Sequence, residues 1–224
     1  PDRSIVNATF NIDRDFGFQF AYQNNISTVN YVVKGAITSG EGRNSVISDV
    51  GLAYTGRVEI LPFGKFTNRG DYFEGDLERE KTPKLSVAGG YHYNESAMRT
   101  AGTLGKDLYD NRNIGSFIAD LLLKYNGFSF STEYMNRTTD SPITTNDAGA
   151  ERIIYIGDGT MFQLSYLFKN NFEIAGRYAI VTPDQILYEK ELQREEIGVG
   201  VTKYLRKHRV KFQGQLFYNT ATDL

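Results

Sequence analysis

Residues 113–137, NIGSFIADLLLKYNGFSFSTEYMNR, hold two alternating runs separated by Asn126-Gly127. Asn-Gly between such runs is the strongest short hairpin signal, because a type I′ turn needs a positive φ at both central residues. Phe117, Ala119, Leu121, Leu123 and Tyr125 share one face of the first run, and Ser116, Asp120 and Lys124 share the other with Ile118 and Leu122. In the second run Phe128, Phe130 and Tyr134 oppose Ser129, Ser131, Glu133 and Arg137. Two architectures accommodate strands of this kind. A soluble β-sandwich, of the sort that binds glycans or proteins, buries the apolar face and wets the charged one. A transmembrane barrel turns the apolar face to lipid and the charged face to a wet lumen.

The rest of the chain extends the pattern. Roughly ten strand-like segments follow one another with no stretch of helical period, so the expected fold is all-β and a single domain. Tyr (15) and Phe (15) are abundant and Gly (22) far outnumbers Pro (5), as suits strands joined by tight turns. Polar connections are expected at residues 38–49, 64–83, 95–112, 138–158 and 182–193, with a short helical turn around Asp76 to Lys81. No run of about 18 apolar residues exists, which excludes a membrane-crossing helix but not barrel strands of about 9–11 residues. No leader of charged and apolar regions opens the chain, so any signal peptide is expected to lie outside it.

Two regularities favour the barrel. The turns at Asn24–Ser27, Asn126-Gly127, Asn170-Asn171 and Arg206–His208 are tight, while the connections between them are repeatedly long. That is the asymmetry of outer-membrane barrels. Tyr and Phe also gather at strand ends, among them Tyr31, Tyr91, Tyr125, Tyr134, Phe168, Phe172 and Tyr218, where interfacial girdles would sit.

Several patches resemble the phosphate-selective porin O/P family of Gram-negative outer membranes. They are Gly56-Arg57-Val58-Glu59 with Leu61-Pro62-Phe63-Gly64; Asp76-Leu77-Glu78-Arg79-Glu80-Lys81-Thr82-Pro83; Arg14-Asp15-Phe16-Gly17; Lys124-Tyr125-Asn126-Gly127-Phe128; and Leu167-Phe168-Lys169-Asn170-Asn171. The resemblance implies a transmembrane antiparallel β-barrel of about 16 strands. It also implies a homotrimer in outer-membrane lipid that passes small anions such as phosphate by diffusion. A barrel of that size needs a longer chain than 224 residues. The chain is therefore expected to cover about ten or eleven strands, without the first strands and the closing one, and residues 1–14 are expected to form a constriction segment.

Nine cations fall on the wet face by alternation: Lys34, Arg57, Lys84, Lys124, Arg137, Lys169, Arg177, Arg209 and Lys211. Such rings favour anions, because guanidinium and ammonium groups replace part of a lost hydration shell. Glu59, Asp120, Glu133, Glu173 and Glu196 share that face, leaving an ordinary wet wall as the competing reading. Arg3, Arg14 and Asp15 are candidate constriction residues, and Arg69-Gly70-Asp71 reads as a chance tripeptide.

Other chemistry finds little support. Formal charge is only −2 with Lys and Arg scattered singly, unlike the basic stripe of a nucleic-acid binder. There is no cysteine, and hence no disulfide or thiolate metal site. His92 and His208 lie far apart without carboxylates at ligand spacing, so both read as polar wall or turn residues. GTLGK at 102–106 lacks the spacing of a phosphate loop, and no nucleophile–base pair appears. Neither enzyme activity, a cofactor nor a metal is expected.

Overall fold

The computed structural model describes residues 3–42, 51–206 and 209–224. The chain is all-β and antiparallel. Its main sheet is a meander of ten strands, and most neighbours in space are neighbours in sequence. They are β1 (Gly17–Ile26), β2 (Val29–Thr38), β3 (Ala53–Leu61), β4 (Lys84–Arg99), β5 (Asp107–Tyr125) and β6 (Phe128–Thr138), followed by β9 (Gly157–Leu167), β10 (Phe172–Pro183), β11 (Gln193–Arg206) and β12 (Val210–Thr222). Between β6 and β9 a small hairpin, β7 (Ile143–Thr145) with β8 (Glu151–Ile153), stands apart from the sheet. Among the described residues the sheet is not closed, and β1 and β12 are its edges.

The Asn126-Gly127 turn forms as its chemistry requires, with φ of 48° and 91°. It sets the register Tyr125↔Phe128 and Asp120↔Glu133. Every aromatic of the hairpin's apolar face then shares one side of the sheet.

That side is uncovered. Phe18 is 87% exposed, Leu164 49% and Phe212 70%, and Val58, Tyr91, Phe162, Ile174 and Val199 are exposed with them. The opposite side is polar and, across the middle strands, largely buried: Ser86, His92, Ser116, Lys124, Ser129, Gln163, Arg177 and Glu196 all lie there out of solvent. Aromatic rows bound the apolar band. Tyr125, Phe128 and Tyr166 run side by side near the tight turns, and Tyr54, Tyr91, Phe117 and Tyr134 lie toward the other end. Eight residues separate Phe117 from Tyr125, roughly 26 Å along a strand at ~3.3 Å per residue.

Two connections differ from expectation, one of them in two respects. Residues 95–112 are not a loop, because β4 runs on to Arg99 and β5 begins at Asp107. The extension alternates poorly because it is largely polar, and a bulge at Ser96 (φ 54°) interrupts its register. The helical turn falls at Thr67–Tyr72 instead of Asp76–Lys81, kinked by left-handed Asn68 and Arg69. Asp76 to Arg79 close a single turn, with the Arg79 amide donating to the Asp76 carbonyl at 3.2 Å. Finally, the 62–83 connection is long although it leaves the sheet at the tight-turn end. The end with the long connections has its own apolar cluster, in which Ala97, Ile114, Ile154, Ile156 and Leu187 pack under β7 and β8.

Candidate functional site

Two segments lie on the polar face. The first is the helix α1 (Ile5–Phe10), opened by the Ser4 side chain accepting from the Asn7 amide at 3.1 Å. Val6 and Phe10 bury against Met135, Ala179 and Val181, an apolar island on an otherwise polar wall. Gly159 of β9 permits the approach, since a Cβ there would stand 2.9 Å from both Val6 and Phe10. Arg137, 2% exposed, donates to the Thr9 carbonyl at 3.2 Å and lies over the Phe10 ring.

The second is the 62–83 connection. Lys124, 1% exposed, places its Nζ among three carbonyls, those of Gly70 (2.7 Å), Phe73 (2.6 Å) and Gly75 (2.8 Å). The Ser129 hydroxyl donates to the Glu74 carbonyl, and Gln163 donates to the Glu74 carboxylate at 2.9 Å. Asp76 accepts from the amides of Glu80 and of Gly127 in the β5–β6 turn, the latter at 2.7 Å. Arg79 reaches the Leu167 carbonyl at the end of β9. The connection between β3 and β4 is thereby bonded to strands and turns well across the sheet.

Between α1 and the connection's tip lies a cavity of about 660 Å³. Arg3, Arg57 and Arg177 line it with Asp71, Glu74, Asp120 and Glu133. Arg57 and Asp120 form a bidentate pair at 2.6 and 3.1 Å. They meet diagonally across β4, where Gly90 sits opposite Arg57 and Ala88 opposite Asp120, both too small to block the contact. Arg177 donates to Glu196 at 3.0 Å and stacks over the Phe217 ring. Two further cavities flank the connection. One of about 480 Å³ is lined by Lys34, Glu59, Lys65, Arg69 and Asp71, and one of about 280 Å³ by Glu74, Glu173, Lys211 and Gln213.

The structure thus separates the nine cations. Lys34, Arg57, Lys124, Arg137, Arg177 and Lys211 belong to the polar face, although Lys124 and Arg137 serve as anchors and Arg57 and Arg177 are paired. Lys84 donates to the Phe63 carbonyl at 2.8 Å, at the root of the connection. Lys169 and Arg209 are not wall residues, because β9 ends at Leu167 and β12 begins at Val210, leaving both in exposed turns. His92 sits in the wall beside Thr55, its Nδ1 2.8 Å from the hydroxyl. His208 lies outside the described residues, as does most of the connection at 38–49. Lys65 and Glu74 escaped the sequence reading because they belong to a connection without alternation, and Arg69 and Asp71, read there as part of a chance tripeptide, line the cavities beside them.

Of the constriction candidates, Arg3 lines the central cavity and Arg14 is exposed beyond the helix. Asp15 belongs to a clasp at the far end of the sheet. Its carboxylate accepts from the Ser39 hydroxyl and from the amides of Gly40 and Gly42 at 2.6, 2.6 and 3.1 Å. Burial opposes its ionisation, but hydrogen bonds from Ser39, Thr38 and the amides of Gly40 and Phe16 outweigh burial and hold it below the ordinary carboxylate value. Nearby Glu41 is pushed up by burial, with Arg99 opposing.

No family model, curated protein or solved structure matches the chain, so the resemblance to the porin O/P family rests on the quoted patches alone.

Proposed function

We propose that the chain forms the wall of a transmembrane β-barrel in a bacterial outer membrane and passes small hydrophilic solutes through its lumen by diffusion. The observation that carries this reading is the inversion of the faces. A soluble sheet puts its apolar side inward, whereas here that side is bare and the Lys, Arg, Glu and Gln side is the more buried one across the middle strands. The spacing of the aromatic rows supports it, being on the scale of the ~25 Å apolar band of such barrels. A β-sandwich would need a second layer over the apolar face, and none covers it among the described residues.

A preference for anions draws on fewer residues than alternation predicts. Four wall cations are paired or serve as anchors, and the central cavity holds three Arg against four carboxylates. The cations left facing water are Lys34, Lys65, Arg69 and Lys211. The test is reconstitution of the full-length protein in planar bilayers. Discrete conductance steps are expected, and a protein that stays soluble without detergent and gives no conductance overturns the reading.

A further inference from the structure

We propose that the 62–83 connection divides the tight-turn end of the lumen into two lanes, one carrying small anions and the other small cations. The proposal rests on the diffusion-channel reading above. Residues 71–74, the tip of the connection, border all three cavities. Asp71 and Tyr72 line both the central cavity and the flank toward β1–β3, and Tyr72, Phe73 and Glu74 line both the central cavity and the flank toward β9–β12. A solute moving from the central cavity toward the tight turns meets the tip and goes to one side of it. The tip is a fixed partition, since Lys124 holds the carbonyls of Gly70, Phe73 and Gly75 and Ser129 holds that of Glu74.

The two sides differ in charge. Toward β1–β3, Lys34, Lys65 and Arg69 face Glu59 and Asp71, a surplus of one positive charge. No ion pair engages those three cations among the described residues, whereas Arg57 and Arg177 of the central cavity are bonded to Asp120 and Glu196. Toward β9–β12, Glu74 and Glu173 face Lys211, a surplus of one negative charge. Screening over about 8 Å at physiological salt confines each surplus to its own side, so an ion responds to the walls it passes. The basic flank also has the larger cavity, at about 480 Å³ against about 280 Å³.

These 224 residues hold no cysteine, so an introduced thiol is unique within them, and any cysteine elsewhere in the full-length protein is first replaced by serine. Gln23→Cys places a thiol in the basic flank and Gln213→Cys one in the acidic flank, and neither replaces a charged residue. Each variant of the full-length protein is labelled with a bulky neutral thiol reagent and recorded in planar bilayers under a potassium chloride gradient, against the same variant unlabelled. Blocking the basic flank is expected to remove mainly chloride current and move the reversal potential toward the potassium limit. Blocking the acidic flank is expected to move it the opposite way. If both labels reduce conductance without opposed shifts, the lumen is a single passage and the division is overturned. If the unlabelled protein forms no channel, it is the diffusion reading that fails.

Discussion

The two faces of the ten-stranded sheet are built by the same strands, residue by residue in alternation, yet they are finished in opposite ways. Among the described residues the apolar face remains exposed from Phe18 to Phe212. The polar face is overlaid by α1 and by the 62–83 connection, each fixed by a buried cation on backbone carbonyls, Arg137 on Thr9 and Lys124 on three acceptors. The difference teaches that what a face needs is set by its solvent. An apolar face in lipid is satisfied as it stands. On the proposed reading a charged face around a lumen must be shaped, and the two segments laid over this one would shape it.

The largest effect is expected from removing an anchor on the polar face. Lys124→Met leaves three carbonyls without their donor, at about 1–3 kcal/mol for each one that water does not reach. Hydrogen exchange should show residues 66–76 losing protection while β5 and β6 keep theirs. Next comes a charge on the other face. Phe162→Arg or Ile197→Arg, midway between the aromatic rows, should cost about 2–4 kcal/mol near the bilayer midplane. Ser131→Arg, which points into the central cavity, should cost little by comparison. Denaturant titration of refolding into lipid vesicles measures all three, and equal costs on the two faces would break the comparison.

A smaller effect is expected at the other inserted segment. Gly159→Leu drives a side chain into Val6 and Phe10 and should cost about 1–3 kcal/mol, read as loss of α1 protection with the sheet intact. The smallest is the pH response of the Asp15 clasp. A carboxyl held below its unfolded value, 3.8, stabilises the clasp fully above that value and loses the contribution as pH falls through the lower folded value. Acidification below about pH 4 should therefore weaken protection of the Gly40 and Gly42 amides, and Asp15→Asn should remove that component of the response. Glu41, with its raised value, responds in the opposite sense, so the difference between wild type and Asp15→Asn isolates Asp15.

The strands were legible in the sequence because alternation and turn chemistry are local. Asn126-Gly127 specified a turn, and the turn set the register of everything beside it. Alternation stopped helping where strands continue without an apolar face, as in β4 beyond Asn94 and β5 before Ile114. It overreached by a residue or two at Lys169 and Arg209, since counting by twos does not reveal where a strand ends. The candidate site was the least legible part. Lys124 was correctly placed on the polar face, but an ammonium capped by the carbonyls of Gly70, Phe73 and Gly75 has no sequence signature, because any residue could supply those oxygens. Lys65 and Arg69 belong to a connection whose path depends on that cap.

The reach of the 62–83 connection also bears on how the chain acquires its structure. Its two ends are the neighbouring strands β3 and β4, but its partners lie 54 residues away at Lys124 and 88 residues away at Leu167. A meander zips from one hairpin to the next, and each new strand closes only a short loop. The connection can take no part until β5, β6 and β9 are in place, so it docks late, after most of the sheet has assembled. A chain stalled before that step would hold its strands paired while the polar face lay uncovered by the connection.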